Sequence, residues 1–361
     1  MEKFRFIIFG KKYDMRMAVD RFGWRKMYIY YRLRKIVSGR YFRMRKEFRQ
    51  MMNAAEIPGK GLKMEADFWL SWFMTGEIPE NYFDKLFFRK NMEWKNHHVT
   101  RYRLFFIVPL FNTEETTNYL DNKALFNKHW ELFLNRKWCE PQRVSFEEFA
   151  EIFGSCKRII VKALDGLGGK GVRAINVDKA SLKSIYQDLA KSSKKQIVEE
   201  YIFQKGYFHD LNPDSVNTIR VTTMRIQDEV KVLYAFLRTG YGNSIVDNLH
   251  AGGIVFEIDR MTGTIHKGHT YRQFDIEIHP YSKIKIAGHV IDRWQEIIEF
   301  VTRAHLHAPS GSYMIGWDVC VSDDCLSLIE GNSNPGFAHL SDKNENQWGE
   351  VQEYLDRVCK R

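Results

Sequence analysis

The sequence lacks any apolar run long enough to cross a lipid bilayer. Its longest such run, Leu104 to Phe111, is interrupted by Pro109, whereas a membrane-spanning helix needs about 20 apolar residues. The apolar stretch at residues 6–9 is too brief for the core of a secretory signal. The five cysteines have no metal-binding spacing, and their odd number favours reduced thiols. We therefore expect a cytoplasmic protein.

Acidic residues are scarce in the first fifty positions, whereas basic residues are abundant there. Residues 1–50 hold 16 of the 55 Lys and Arg but only 4 of the 45 Asp and Glu, so this segment carries +12 while the whole chain carries +10. The rest of the chain is therefore nearly neutral. Charge that is concentrated in this way indicates an anionic partner.

Aromatic residues alternate with the basic ones in this segment, which predicts one or two amphipathic helices with a break near Ser38-Gly39. Such helices would suit an anionic membrane surface, a nucleic acid or a polyanionic glycan. The alternative is a solvated helix that packs on the body of the protein through its aromatic face. We favour peripheral contact with the cytoplasmic face of a membrane over nucleic acid, through residues 25–50 and in particular Arg32, Arg34, Lys35, Arg43, Arg45 and Lys46.

The region from about 54 to 134 is predicted to be helical and contains neither a Gly-rich loop nor a repeat. Asp121 or Asn122 suits the cap of a helix. Ser145 and Glu148 have the spacing of a capping box, which marks the start of another helix. We expect a new structural unit to begin near residues 135–141.

A glycine-rich loop at 165–171 separates two predicted strands, 158–163 and 172–177. Lys162 precedes the loop and Lys170 lies within it. The pattern Gly-x4-Gly-Lys-Ser/Thr is absent, so this is not a Walker loop. Glycines nevertheless let backbone N–H groups approach phosphates closely, so the loop could fold over a triphosphate as a flap. The alternative is an ordinary glycine-rich hairpin turn.

The following segments predict further elements of an α+β domain. A helix is expected over 178–190, and a strand over 196–202 contains Glu199 and Glu200. A long amphipathic helix is expected over 285–307, where it would cover a sheet.

Two arginines belong to a predicted pair of adjacent strands. Arg220 lies in the strand 217–223, and Arg238 ends its partner, 232–238. A guanidinium can bind phosphate or carboxylate oxygens in a bidentate manner. Both arginines are therefore candidates to clamp a transferred phosphoryl group, and a cross-strand surface pair is the alternative for each.

A hairpin near the carboxyl end of the chain carries the most informative polar residues. The polar turn at 322–324 places Asp318 opposite, or nearly opposite, Glu330, and side-chain alternation places Asn332 on the same face as Glu330. Magnesium binds such oxygen ligands together with substrate phosphates. An acidic hairpin with solvated charges is the alternative, but carboxylates that interrupt apolar strands tend to be paired or metal-bound.

The order of these features resembles the ATP-grasp superfamily: a lysine strand, a Gly-rich flap, a Glu-Glu strand, an Asn-x-x-Arg strand, an Asn-x4-Gly-Gly loop and an Asp/Glu/Asn hairpin. The segments 212–220 and 246–253 resemble more specifically the branch associated with sugar transfer and surface-polysaccharide synthesis. The resemblance covers about residues 120–340. It implies an α+β ATP-grasp fold in which two α+β subdomains grip ATP between antiparallel sheets. We expect a helical, basic region over 1–135, a nucleotide-binding subdomain over 136–205 and a carboxyl-terminal subdomain with the metal and acceptor sites over 206–361.

The resemblance also implies roles for individual residues. The lysines would bind the phosphates and residues 200–202 the adenine edge, within a nucleotide-binding set of Lys162, Gly168, Gly169, Lys170, Glu199, Glu200, Tyr201 and Ile202. Two magnesium ions would be held by Asp318, Glu330 and Asn332. Catalysis would involve Arg220, Arg238 and Lys170. The acceptor would meet Asn217, Asn248, Gly252, Gly253 and Asn334.

The function implied by the resemblance is an ATP-dependent carboxylate–amine ligase that works through an acylphosphate. Its substrates would be an acidic sugar of a bacterial surface polysaccharide, such as a uronic acid, and an amino acid or small amine. Two alternatives remain open: a kinase of a sugar hydroxyl on the same fold, and a scaffold without catalytic activity that binds a membrane or glycan.

Overall fold

The computed structural model describes residues 6–8, 11–37, 41–54, 61–164, 171–178, 180–242, 247, 252–270, 273–335 and 346–359. The chain divides into two compact units, one formed by residues 1–113 with 336–361 and the other by residues 114–335. The domain boundaries predicted at 135/136 and 205/206 stay predictions.

The first unit is mostly helical, as the sequence predicts for the amino-terminal region. Its two expected basic helices are present as α2 and α3, and the expected break between them near Ser38-Gly39 lies outside the described residues. The elements of this unit are β1 (Phe6–Ile8), β2 (Lys11–Tyr13), α1 (Met15–Phe22), α2 (Trp24–Val37), α3 (Tyr41–Ala54), α4 (Leu62–Thr75), α5 (Pro79–Asp84), α6 (Met92–His97), α7 (Arg101–Phe111) and α14 (Gln347–Val358).

Aromatic side chains fill the interior of the first unit, because each of them buries a large apolar area. Phe48 of α3 stacks on Phe68 of α4 with ring centroids 4.4 Å apart, and Tyr82 of α5 meets Phe68 edge-on at 5.3 Å. Lys95 is fully buried, and its Nζ donates to the Asp67 carboxylate oxygens at 2.7 and 2.6 Å. This ion pair compensates a charge that would otherwise be costly to bury.

Arg32 belongs to the residues predicted to contact a membrane, but the structure buries it. Its Nη2 donates to the carbonyl oxygens of Trp72 at 2.9 Å and Phe73 at 2.8 Å, in the last turn of α4. The Trp72 carbonyl oxygen also accepts from the Gly76 N–H at 2.9 Å, so Arg32 adds a charged donor at the end of α4 and complements the helix dipole. Arg32 therefore joins α2 to α4 and is buried within the protein rather than exposed to an external partner.

The other five predicted contact residues stay at or near the surface. Arg45 donates to Glu65 at 3.1 Å, and the Lys35 ammonium lies 5.4 Å from the centroid of the Tyr31 ring. The exposed members of the set are Arg34, Arg43 and Lys46. Among the described residues, no helix has both the length and the apolar character needed to span a membrane.

The second unit combines two antiparallel sheets with helices. Its elements are α8 (Glu114–Asp121), α9 (Lys123–His129), β3 (Trp138–Cys139), α10 (Phe146–Phe153), β4 (Arg158–Ala163), β5 (Arg173–Asn176), α11 (Leu182–Ala190), β6 (Gln196–Glu200), α12 (Tyr207–Leu211), β7 (Thr218–Ile226), β8 (Glu229–Thr239), β9 (Ile254–Ile258), β10 (Ile265–His269), α13 (Trp294–Leu306), β11 (Met314–Val321) and β12 (Leu326–Asn332). The sheet orders are β10-β9-β8-β7-β11-β12 and β3-β6-β4-β5.

Helix α13 packs on the six-stranded sheet. Its apolar positions, spaced as one face of a helix, bury Ile297, Val301 and Ala304 in the core beside Trp317 of β11. Trp130, which follows α9, is fully buried and donates its indole N–H to the carbonyl oxygen of Ala304 at 2.9 Å. A buried indole needs such an acceptor. The helix therefore covers the sheet, as expected.

The four-stranded sheet has a smaller core of its own. Phe149 and Phe153 of α10 and Leu189 of α11 are buried against β4. Helix α10 begins with the predicted capping box, in which the Ser145 side chain accepts from the Glu148 N–H and the Glu148 carboxylate accepts from the Ser145 N–H. This box satisfies backbone donors that would otherwise lack partners at the helix start.

The predicted hairpin is confirmed, whereas the long helix predicted over 285–307 is wrong in its first part. Strands β11 and β12 pair with Asp318 opposite Glu330. Helix α13 begins only at Trp294, because residues 285–290 make bridges to the sheet region instead, at Ile278↔Lys285 and Thr264↔Val290. Two smaller differences concern the ends of elements: α11 starts at Leu182 rather than 178, and β6 ends at Glu200 rather than 202.

We predict that Arg32→Met lowers the free energy of unfolding by about 2 kcal/mol, because two carbonyl groups at the end of α4 lose a hydrogen bond from a charged donor. Arg34→Met removes the same charge from an exposed position on α2 and should change stability by less than about 0.5 kcal/mol. Urea unfolding of the full chain, followed by circular dichroism, measures both changes. Equal losses in the two variants would contradict the capping role.

Candidate functional site

A row of polar side chains crosses the six-stranded sheet. Asp318 of β11 lies opposite Arg220 of β7 on one side and Glu330 of β12 on the other. Arg238 of β8 lies on the same face, two positions after Phe236, which is opposite Arg220. Residues that are directly opposite on antiparallel strands project from the same face. Four neighbouring strands therefore present this row on one face of the sheet.

Asp318 is the centre of this row and has no exposed surface. Arg220 contacts it in a bidentate manner, with Nε on Oδ1 and Nη2 on Oδ2, the latter at 2.9 Å. Arg238 adds a third contact from Nη2 to Oδ2 at 2.6 Å. Burial would raise the pKa of Asp318, but the charges of Arg220 and Arg238 outweigh it and lower the pKa to about 2. Asp318 is therefore ionised and fully engaged.

A second buried carboxylate, Asp247, lies on the other side of Arg238. Its Oδ2 is 3.6 Å from the Nε of Arg238 and accepts from the backbone N–H of Thr218 at 3.1 Å and from the Thr218 hydroxyl. That hydroxyl oxygen also accepts from Arg238 Nε and Nη2 at 3.1 and 2.9 Å. Arg238 is therefore fixed between two carboxylates, which limits its rotamers.

Glu330 and Asn332 lie at the outer edge of the row. Burial, and after it the neighbouring Asp318, raise the pKa of Glu330 above its usual value. Asn332 donates its side-chain N–H to the carbonyl oxygen of Gly316 at 3.4 Å. The two residues are separated by one position on β12, so both can present an oxygen to the same ligand.

Lys162 of the four-stranded sheet is held by a buried carboxylate. Its Nζ is 2.6 Å from Oε2 of Glu199, whose other partners are the guanidinium of Arg136 at 3.1 Å and the side-chain N–H of Asn127 at 2.8 Å. Burial would raise the pKa of Glu199, but the charges of Arg136 and Lys162 outweigh it and hold that pKa well below its usual range. Glu199 thus fixes the position of the lysine.

One pocket brings these two groups together. It is lined by Lys162, Glu199, Glu330 and Asn332, which the sequence singled out, together with Leu120, Asp121, Lys123, Phe126, Asn127, Ile329 and Gly331. Arg136 links its two walls, because it contacts Glu199 and also donates to the carbonyl oxygens of Leu328 and Ile329 in β12. The pocket therefore combines cationic and anionic groups, which suits a polyphosphate with bound cations.

The sequence analysis missed two polar residues that line this pocket, Lys123 and Asn127, and Arg136, which contacts the lining residue Glu199. Asp121 also lines the pocket and was considered only as a helix cap. Lys123 is the first residue of α9 and follows the cap Asn122, whose side chain accepts from the N–H of Ala124 and Leu125. A cation is disfavoured at the positive end of a helix. Asn127 lies one turn later on the same face. That unfavourable lysine was an available signal, whereas nothing local marks Arg136.

The predicted adenine-edge residues, Glu200, Tyr201 and Ile202, lie at the end of β6. The backbone N–H of Glu200 donates to the carbonyl oxygen of Lys137 at 2.9 Å, and the backbone N–H of Tyr201 donates to the carbonyl oxygen of Arg158 at 3.1 Å. The Arg158 guanidinium lies 4.6 Å from the centroid of the Tyr201 ring. Their predicted contact with adenine stays a prediction.

Asn217 is fully buried, and its side chain is engaged with the protein itself. It donates to the carbonyl oxygens of Phe208 and Asn212 at 2.7 and 3.0 Å and accepts from the Gly240 N–H at 3.1 Å. These bonds anchor the start of β7 to two loops. Its predicted contact with the acceptor stays a prediction.

The remaining predicted residues fall into two groups. Gly252, with φ of 93°, and Gly253 precede β9, and Asn334 is exposed after β12. Outside the described residues lie Gly168, Gly169, Lys170 and Asn248.

The predicted magnesium ligands fit a cation unequally. Glu330 and Asn332 offer carboxylate and amide oxygens at one pocket, which is the donor chemistry that Mg²⁺ prefers. Both oxygens of Asp318 already accept from arginines. Within the described part of the chain, no cluster of three or more His, Cys, Asp and Glu could hold a metal. A cation here would therefore depend on Glu330, Asn332 and ligand oxygens.

Comparison with known proteins gives one family match. The family described as sugar-transfer associated ATP-grasp matches residues 107–345. No curated protein matches the chain.

Solved structures that resemble the chain include two ligases and a synthase. An L-amino acid ligase from Bacillus licheniformis has 13% identity and a TM-score of 0.41, with 72% of this chain and 54% of that chain covered. A D-alanine–D-alanine ligase from Bacillus anthracis complexed with ATP has 15% identity and a TM-score of 0.40, with coverage of 69% and 70%. An N5-carboxyaminoimidazole synthase from Aspergillus clavatus has 12% identity and a TM-score of 0.39, with coverage of 63% and 48%. The chain thus spans about half the length of the first and the third, and similarity at these TM-scores carries no conclusion about activity.

We predict that Glu199→Gln destabilises the protein by about 3 kcal/mol at pH 7, because Lys162 and Arg136 lose their counter-charge. The folded-state pKa of Glu199 lies below its ordinary value of 4.5, so its stabilisation is present above that value and is lost as the pH falls. Below pH 4.5 the difference between wild type and variant should shrink by about 1.4 kcal/mol per pH unit.

Urea unfolding of both proteins at a series of pH values measures this difference. The matched control is Glu200→Gln, at the neighbouring half-buried position, which should change stability by less than about 0.5 kcal/mol. A difference for Glu199→Gln that stays constant between pH 7 and pH 3.5 would contradict the ion-pair role.

Proposed function

Because the chain belongs to the sugar-transfer associated ATP-grasp family, we propose that it is an ATP-dependent carboxylate–amine ligase. The observation that carries this proposal is a pocket whose lining includes Lys162 and Lys123 together with Glu330 and Asn332. Two cations suit the phosphates of a nucleotide, and two oxygen ligands suit the magnesium that accompanies them.

In this proposal Lys162 and Lys123 bind phosphate oxygens, and Glu199 keeps Lys162 extended towards them. The flap residues Gly168, Gly169 and Lys170 close over the phosphates, and residues 200–202 meet the adenine edge. Glu330 and Asn332 would hold the two magnesium ions, and Asp318 would act on them through its contact with Glu330. When bound, the metal neutralises charge on the phosphates.

The proposed reaction has two steps. A carboxylate oxygen of the acid attacks the γ-phosphorus of ATP, and the bond to the β-phosphate oxygen breaks, so that ADP and an acylphosphate form. The nitrogen of the amine then attacks the acyl carbon, loses a proton and displaces phosphate, which gives the amide. The protein aligns the reactants and stabilises developing charge. Arg220 and Arg238 are proposed to orient the transferred phosphoryl group, with Asn217, Asn248, Gly252, Gly253 and Asn334 towards the acceptor.

The proposed substrates are an acidic sugar of a surface polysaccharide, such as a uronic acid, and an amino acid or small amine. Support for the sugar comes from the description of the family, which is associated with sugar transfer. We place the reaction in the cytoplasm, where the reduced state of the five cysteines is expected.

We predict that purified protein with ATP and magnesium releases ADP and phosphate in equal amounts, and only when an acid and an amine are both present. Uronic acids paired with amino acids form the substrate panel. Coupled assays measure ADP and phosphate, and mass spectrometry identifies the amide. Transfer of labelled γ-phosphate to a stable sugar phosphate, without free phosphate, would favour a kinase and overturn the ligase.

We predict that Glu330→Gln lowers kcat at least about a hundredfold with the fold retained, because a ligand to the cation is lost. Asp318→Asn is a poorer test, since it also removes the counter-charge of buried Arg220 and leaves Arg238 with Asp247 alone. The control is Asp228→Asn, at a carboxylate that is 99% exposed, which should leave kcat unchanged. Full activity of Glu330→Gln at every magnesium concentration would remove Glu330 from the metal site.

A further inference from the structure

The outward face of α2 is apolar along its centre. Residues Ile29, Leu33 and Val37 follow one another at intervals of four positions and are 60%, 56% and 83% exposed. Intervals of four place side chains on one stripe of a helix. The opposite face carries the buried residues Trp24, Met27, Tyr31 and Arg32. Helix α2 is thus apolar on both faces, although only one of them packs on the protein.

Helix α4 has a similar apolar stripe towards the solvent. Leu70, Phe73 and Met74 are all about half exposed, and Leu62 is 84% exposed at the start of the helix. The inward face buries Met64, Phe68 and Trp72. Large apolar side chains that cluster on a surface mark an interaction site more often than single ones do.

A side chain of α2 reaches the end of α4 that carries the second stripe. The guanidinium of Arg32 in α2 bonds the carbonyl oxygens of Trp72 and Phe73 in the last turn of α4. Tyr41, at the start of α3, stacks on Trp69 of α4 with ring centroids 4.5 Å apart. These contacts hold the ends of the three helices together. We name the resulting patch the α2–α4 surface: Ile29, Leu33, Val37, Phe42, Leu70, Phe73 and Met74.

Basic residues border the α2–α4 surface. On α2 the exposed positions beside the apolar stripe include Lys26 and Arg34, and α2 contains no acidic residue. The exposed Arg25 is paired with Asp356 at 2.6 Å. Lys46 of α3 and Lys63 of α4 are exposed as well. An apolar centre with a cationic border is the pattern of a helix that lies in the interface of an anionic membrane.

The charge of this region discriminates between occupants. A second copy of the chain would bring two strongly cationic segments together, since residues 1–50 carry +12, and like charges repel. Nucleic acid would bind the basic residues but would leave the aliphatic stripe in water. An anionic lipid surface satisfies both features, because its headgroups bind cations and its acyl chains accept apolar side chains.

We propose that the α2–α4 surface binds the interface of an anionic lipid bilayer, with its apolar side chains at the acyl boundary and the bordering Lys and Arg at the headgroups. This replaces the contact predicted from sequence through Arg32, which is buried, by an apolar contact with a basic border. The inference is independent of the proposed reaction.

The test uses the full chain and co-sedimentation with vesicles of phosphatidylcholine, alone or mixed with phosphatidylglycerol. Wild type should bind the mixed vesicles, bind the neutral ones much more weakly, and lose affinity as salt is added. Leu33→Gln combined with Phe73→Gln should lower the partition coefficient about a hundredfold, or about tenfold for each apolar side chain kept in water.

A matched control makes the same changes elsewhere. Leu132→Gln combined with Met261→Gln replaces two apolar side chains of the second unit that are 88% and 81% exposed, and it should leave vesicle binding unchanged. Lys26→Gln combined with Arg34→Gln retains the apolar stripe and should lower binding to anionic vesicles roughly twenty-fivefold, or about fivefold for each charge. Circular dichroism checks that all variants are folded.

Several outcomes would overturn the proposal. Equal binding to neutral and anionic vesicles, no binding to either, or equal losses in the control and the Leu33/Phe73 variant would each remove the lipid surface as the partner. Sedimentation velocity tests whether a second copy of the chain occupies the surface instead. A dimer that is lost in the Leu33/Phe73 variant, without vesicle binding by wild type, would assign the surface to a second copy.

Discussion

The candidate site depends on one buried carboxylate, Asp318, and on the charges around it. Removing a carboxylate from water costs several kcal/mol unless partners compensate it in place. Arg220 and Arg238 provide that compensation from β7 and β8, while Glu330 flanks Asp318 on β12. The pairs also restrict how the strands can slip past one another, since a shift of one residue would turn the carboxylate to the other face. The site and the register of the sheet are therefore stabilised by the same contacts.

This coupling separates the roles of the two acidic residues in the hairpin. Asp318 is saturated by guanidinium contacts, whereas Glu330 lines the pocket and has a raised pKa. A carboxyl group that is reluctant to ionise beside a like charge gains most from a cation, because the cation relieves both the burial and the repulsion. Metal binding at Glu330 would thus offset the cost of burying its charge and the repulsion between it and Asp318. Burial is the larger cause of the raised pKa of Glu330, and the charge of Asp318 adds to it.

Sequence reasoning succeeded where the determining interactions are local. The ATP-grasp fold is confirmed by the family match, and the hairpin register, the cap at Asn122 and the capping box at Ser145 follow from turn length and spacing of a few residues. Sequence reasoning failed where contacts between residues far apart in the sequence determine the structure. The helix expected from 285 starts at Trp294 because its first residues bridge to the sheet region, and the partners of Glu199 come from separate elements that no spacing connects.

Sequence reasoning missed two features that conflict with local preferences: a lysine at the start of a helix and an apolar stripe on an exposed helix face. Lys123 occupies the first turn of α9, where the helix dipole disfavours a cation, and the pocket gives it a reason to be there. Leu33 and Val37 expose apolar surface on α2, where polar residues would be more soluble. Natural sequences retain such conflicts mainly where function requires them. Lys123 is therefore placed by the charges of the pocket, among them that of Glu330, and the solvent-exposed apolar stripe of α2 marks an external surface.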